Sequence, residues 1–227
     1  MNLRARSWAK ADRLAERWYA FQPGASREVT VAGDVTAQYT VRGFVGGLTL
    51  AGTVDATDAV LVVDGMDVKP RGEPATVEAA VEWKKQTLLV RQAEVRLPMA
   101  TATLKGKLPL QATRPRYDLR ANLLLDVDSL QRHVGNDRLG LPAGLTTSGP
   151  VKATASVTRF ERTVGLDLDV DATALEVHWG LEGSKTAGVP ARLRLVGRME
   201  RGVELDELRV DLGPVAMSLS GRVAEDW

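Results

Sequence analysis

The 227 residues contain no cysteine and only two histidines, His133 and His178. Without cysteine there is no disulfide, no zinc ribbon and no thiol nucleophile, and two histidines cannot supply a His-rich metal site. Aromatic residues make up 5% and the net charge is +1. The first is too few for a platform on which bases stack, and the second lacks the basic excess of a nucleic-acid surface. The longest apolar runs, "AVLVV" (59–63) and "LLL" (123–125), fall far short of the roughly 20 residues that a membrane-crossing helix needs. The opening "MNLRARSWAK" is basic, but no apolar stretch follows it. It reads neither as a signal peptide nor as a membrane anchor.

What is present is a repeat. "VDAT" occurs at 54–57 and again at 170–173, an offset of 116. At that offset, ten of the 25 positions from Gly33 to Thr57 are identical in the second copy, without a gap. The match carries forward to Pro74-Ala75 against Pro190-Ala191, and back to "NLRARSWAKADRL" (2–14) against "DLRANLLLDVDSL" (118–130). Past Glu82 the second copy is one residue shorter, with "WKKQT" (83–87) answered by "MERG" (199–202). Loops absorb such a change and strands do not, so a hairpin tip is expected there. Two units follow, residues 1–117 and 118–227, and the period has to be read before the fold.

Each unit alternates. In 29–41 the odd positions run Val29, Val31, Gly33, Val35, Ala37, Tyr39, Val41, and the even ones are mostly Thr, Asp and Gln. Leu48, Leu50, Gly52 and Val54 continue the pattern, as do Val164, Leu166, Leu168 and Val170. A period of two with one apolar and one polar face is a strand, and the short Gly/Pro punctuation between runs favours antiparallel hairpins. Six to seven strands per unit are expected. Two segments read as helix, 9–20 and 128–135, with Asp128 as the N-cap of the second. Two short helices cannot cover a dozen one-sided strands. The options are a sandwich, a closed barrel, or a mainly β, curled antiparallel sheet with an open apolar groove.

No motif carries catalysis. Asp167, Asp169 and Asp171 share one face of a strand, but an extended backbone cannot wrap them around a calcium ion, and a solvated outer face is the expectation. His178 beside Trp179 has no nucleophile motif with it and is read as outward-facing. Asp55-Ala56-Thr57 and its copy read as turn chemistry at a strand end. The five tryptophans, Trp8, Trp18, Trp83, Trp179 and Trp227, are read as packing at strand ends. No enzyme, no metal and no cofactor are expected.

The sparse glycines, the "LRVDLG" and "LSGRV" stretches within Leu208–Val223 and the short helix opening each unit resemble the AsmA-like family. These are periplasmic repeating β-groove lipid-transfer proteins of the TamB and YhdP type. The resemblance spans essentially the whole chain and makes it a piece of two repeat units. It implies a groove shielding phospholipid acyl chains between the inner and outer membranes, in the periplasm. The full-length protein would be anchored to the inner membrane, with inner- and outer-membrane proteins as partners and no nucleic acid. By position, the lining would be Val35, Ala37, Tyr39, Leu48, Leu50 and Val54, with Val151, Ala153, Ala155, Val164, Leu166 and Val170 in the second copy. The other reading is a self-contained β-sandwich that serves as a structural or interaction module without ligand. A sheet of repeats also leaves edge strands, from which end-to-end self-association is expected.

Overall fold

Among the described residues, every alternating run forms a strand. The computed structural model describes residues 2–10, 29–44, 46–63, 66–109, 116–180, 183–200 and 202–224. In chain order the first copy comprises β1 (Asn2–Lys10), β2 (Val29–Phe44), β3 (Gly47–Asp55), β4 (Ala59–Val63), β5 (Met66–Lys69), β6 (Thr76–Lys84), β7 (Thr87–Leu97) and β8 (Ala100–Pro109). The second begins with β9 (Tyr117–Asp126), α1 (Val127–Val134), the single turn α2 (Asn136–Leu139), β10 (Leu145–Ser148) and β11 (Pro150–Phe160). It continues through β12 (Thr163–Asp171), β13 (Glu176–Trp179), β14 (Gly183–Lys185), β15 (Ala191–Met199), β16 (Gly202–Leu212) and β17 (Val215–Ala224).

The protein is mainly β, and 12 of the strands make one antiparallel sheet that does not close into a barrel. Its order is β17-β16-β15-β12-β11-β9-β8-β7-β6-β3-β2, with β1 on the outer side of β2. The 117/118 division falls at the start of β9, where hydrogen bonding from β8 carries the sheet across without interruption. Two small hairpins leave this path. β4 and β5 extend the first third of β2, and β13 and β14 pair with β10 as a separate three-stranded sheet.

The two departures have the same register. Val29 to Ala32 face Val63 to Val60, and Leu145 to Ser148 face Trp179 to Glu176, each residue 116 later. Gly33 and Gly149 make the corner, with φ of 97° and 96°. A Cβ on either would collide with a backbone carbonyl, of Asp58 in one copy and Ala174 in the other. Only glycine meets both demands.

Immediately after each sheet strand, the repeated "DAT" closes the departure. Asp55 Oδ1 accepts from the Thr57 amide at 2.9 Å, and Asp171 Oδ1 from the Thr173 amide at 2.8 Å. These are Asx turns, the strand-end chemistry expected of them. Hydrogen bonds from Thr57 and Thr173 hold both carboxyls below the usual carboxylate range. A lysine then plugs each turn. Lys69, 5% exposed, donates to the carbonyls of Thr57 at 2.9 Å and Ala59 at 2.6 Å. Lys185 donates to Thr173 at 3.2 Å and Leu175 at 2.5 Å.

The one-residue difference lies at a hairpin tip. Trp83 pairs with Leu88 across four residues, with Lys85 and Gln86 at positive φ, whereas its counterpart Met199 pairs with Val203 across three. Farther along the same hairpins, the register slips at Arg91-Gln92 in β7 and at Asp206-Glu207 in β16. These β-bulges again occupy matching places.

Four expectations change. Among the described residues the first copy has eight strands and the second nine, rather than six or seven each, because β4 with β5 and β13 with β14 form small hairpins of their own. The helix of the second copy starts at Val127, capped by Asp126 rather than Asp128. The Asp126 backbone is still extended where its Oδ1 accepts from the Ser129 amide at 3.2 Å. Asp128 instead pairs with Arg132 one turn on. Of the segment 9–20, residues 9–10 end β1 and residues 11–20 lie outside the described residues. The sandwich reading also gives way, since the side chains that a second sheet would bury remain open to solvent.

Candidate functional site

Directly opposed residues of an antiparallel pair point to the same face, so the register alone sorts the sheet into two surfaces. One row runs Val41, Leu50, Val81, Val90, Gly106, Leu119, Val157, Leu166, Gly197 and Leu205. The next runs Tyr39, Gly52, Ala79, Ala93, Leu104, Ala121, Ala155, Leu168, Leu195, Leu208 and Leu219. Neither row contains a charge, and both cross the joint between the copies. The paired bulges preserve this. Each inserts its extra residue so that the apolar phase resumes on the same side.

All twelve residues proposed as lining stand on this face. Val35, Ala37, Tyr39, Leu48, Leu50 and Val54 occupy it in β2 and β3, and Val151, Ala153, Ala155, Val164, Leu166 and Val170 in β11 and β12. The face is larger than that set. It continues through β6 to β9 and β15 to β17, where Leu104, Leu123, Leu195, Leu208 and Met217 extend it.

Most of the face is uncovered, the exception being the corner where Val35 packs with Ala59 of β4 and with Val31, Val54 and Ala56. Among the described residues no side chain of substantial size is fully buried, and the buried apolar set is only Val35, Ala59, Ala75, Val90, Met99 and Ala191. Leu50 is 46% exposed, Leu166 38%, Trp83 50% and Leu219 61%. A chain of this length normally hides such residues. At one end of the face a concavity of about 790 Å³ is lined by Gly43, Phe44, Leu48 and Trp83, with Lys85 and Gln86 at its rim. Trp83 thus borders open space instead of packing, and Trp179 on the small sheet is also exposed. Trp8 lies on β1, and Trp18 and Trp227 fall outside the described residues.

The opposite face is ionic. Arg192 reaches Asp171 at 3.5 Å, Arg194 reaches Asp167 at 3.5 Å and Glu207 at 3.2 Å, and Arg198 reaches Glu204 at 3.0 Å. Asp167 and Asp171 of the aspartate ladder are therefore paired with arginines of the adjacent strand. His178 is exposed, with Nε2 3.0 Å from a Glu176 carboxylate oxygen. Among the described residues no three His, Cys, Asp or Glu side chains gather as a metal site, and no helix is long and apolar enough to cross a membrane.

Sequence reasoning missed what α1 holds, within the second copy through Gln131 and across to the first through His133. Gln131 acts as a strand substitute along the free edge of β10. Its amide donates to the Leu145 carbonyl at 2.7 Å and accepts from the Thr147 amide at 3.1 Å and hydroxyl at 2.7 Å. His133 reaches back to Glu73 of the first copy. The chain matches no protein-family model, no curated protein and no solved structure.

Proposed function

We propose that this chain is a non-enzymatic lipid-binding and transfer segment whose apolar sheet face shelters phospholipid acyl chains. The observation that carries the reading is the uninterrupted aliphatic surface crossing both copies, much of it exposed, from Leu48 and Leu50 in the first copy to Leu166 and Leu219 in the second. Apolar patches larger than a few hundred Å² mark an interaction surface on a soluble protein. Twelve strands at about 4.8 Å spacing extend this one to about 50 Å from strand to strand across the sheet. That exceeds any single small-molecule pocket and suits a linear apolar cargo.

The mechanism requires no bond making. Acyl chains leave water for a surface of Leu, Val and Ala, which is favourable in proportion to the apolar area covered. The side chains present no deep, shape-specific well, so a bound chain can slide from one row to the next. Lys85 at the rim of the concavity would face an anionic headgroup. The AsmA-like resemblance supports the same reading. Under it, the sheet is the curled wall of a groove that acts in the periplasm between inner and outer membranes, in concert with proteins of both.

The test is native mass spectrometry of gently purified protein, together with extraction of co-purified lipid. Phospholipid adducts are expected. A clean protein mass and an empty extract from membrane-exposed preparations would sink the proposal.

A further inference from the structure

We infer that the concavity beside the β6–β7 tip is a loading port for a lipid with an anionic headgroup. Its tail lies on Trp83 and Leu48, and its head on Lys85. The inference deepens the lipid reading and rests on it, naming one place in the first copy and one sign of headgroup charge.

Register sets the tail end of the site. Gly43, Leu48, Trp83, Leu88 and Leu108 are successive cross-strand partners, so they form one row of the apolar face at this rim. Phe44 is 76% exposed, and with Leu48 and Trp83 it lines the open space of about 790 Å³. That is the size of a small-molecule site. Leu48 and Trp83 belong to the row itself, so a tail seated there meets the apolar face without crossing a polar side chain.

The two copies build this tip differently. Where the first has Gly43, Gly46 and Gly47, the second has Arg159, Arg162 and Thr163. Arg159 donates to the Glu161 carbonyl at 3.2 Å, so that tip bonds to itself. In the first copy a Cβ on Gly47 would meet only the Phe44 ring, at 3.8 Å, and its φ is not positive. Neither backbone angle nor neighbour excludes a side chain at 47. Its absence keeps the space beside Phe44 open.

Backbone strain marks the head end. Lys85 and Gln86 hold φ of 46° and 64°, the demand of a type I′ turn, which hairpins usually meet with Asn-Gly. Side chains kept at strained backbone positions point to a use for them. Both residues are exposed, as is Lys84. Glu82 is held by Arg91 at 2.7 Å, and among the described residues no ion pair engages Lys84 or Lys85. Two lysines free of carboxylates beside an apolar hollow match a head that carries negative charge, such as a phosphate.

Quenching of tryptophan fluorescence by a bromine-tagged dodecyl phosphate, kept below micelle formation, reads occupancy. The parent should bind this probe, and Trp83→Phe should lose most of the quenching while keeping the parent's circular dichroism. The matching dodecyl trimethylammonium probe should bind at least about tenfold more weakly. Inorganic phosphate alone should not displace the bound probe. Lys85→Gly is the sharper test. Glycine relaxes the turn, so the melting temperature should hold or rise, while affinity for the phosphate probe falls about tenfold. A purely structural lysine would give the first result without the second. Equal affinity for both probes, quenching that survives Trp83→Phe, displacement by inorganic phosphate, or full binding by Lys85→Gly would each overturn the port. If the parent still carries co-purified phospholipid in any of those cases, the lipid reading stands and only the port falls. A parent with neither lipid nor probe bound loses both.

Discussion

His133 on α1 holds Glu73, sixty residues earlier, by a hydrogen bond of 2.9 Å from Nε2, while its Nδ1 lies 2.6 Å from the Ser129 carbonyl. A ring that donates from both nitrogens is an imidazolium. The side chain links the loop after β5 in the first copy to the helix of the second. The Glu73 hydrogen bond first, and the Ser129 carbonyl second, raise its pKa above the ordinary value, with partial burial and then Arg132 opposing.

This link sets a pH dependence. A raised folded-state pKa means that its stabilisation is complete below the ordinary imidazole value of about 6.5 and is lost as pH rises through the raised value. His133→Gln should therefore lower stability at about pH 5 and much less at about pH 9. Denaturant midpoints of parent and variant at both pH values check this. A constant difference would show that the proton is irrelevant.

The lysine plugs should be stabilising and unequal. Lys69→Met leaves the Thr57 and Ala59 carbonyls without their buried donor and should cost about 1–3 kcal/mol. Lys185→Met removes a half-buried donor and should cost less. Urea unfolding of the two single variants gives the comparison, and a larger loss at 185 would contradict the ordering.

Gly33→Ala and Gly149→Ala should each destabilise by about 1–3 kcal/mol, since both residues hold positive φ and touch a carbonyl. Gly180→Ala also meets a positive φ, yet nothing lies within 4 Å, so its cost should be about 1 kcal/mol. Melting temperatures of the three variants separate strain from collision.

Leu50→Asp and Leu166→Asp place a carboxylate in the same row of the apolar face in the two copies. Water reaches both sites, so the fold should survive at a cost of about 1–2 kcal/mol, while bound phospholipid falls. Asp167→Asn, on the ionic face, should change stability by less than about 0.5 kcal/mol and leave lipid untouched. Circular dichroism and lipid extraction on all three decide. Global unfolding of the Leu variants would mean that this face is packed in solution.

Much of this was legible because a strand with two environments writes its pattern residue by residue. Val151 to Val157 and Leu166 to Val170 show it, and the 116-residue offset doubles every observation. The number of layers was not legible, because alternation is the same whether the apolar face meets a second sheet, a ligand or water. The β4–β5 hairpin was hidden because "AVLVV" does not alternate. The plugs could have been found. Asp55-Ala56-Thr57 is followed by Lys69, and Asp171-Ala172-Thr173 by Lys185, at the same spacing. The links through Gln131 and His133 could not, since their counterparts at the repeat offset are Ala15 and Arg17.

With no large side chain fully buried among the described residues, the sheet has no centre. Each strand is secured by its two neighbours, and almost nothing spans farther. Amide hydrogen exchange should then grade with position. β17 should exchange fast, protection should rise strand by strand inward, and opening should unzip from an edge instead of melting as a unit. Adding copies would lengthen such a ribbon without thickening it, so its resistance to unfolding would grow with the number of strand pairs.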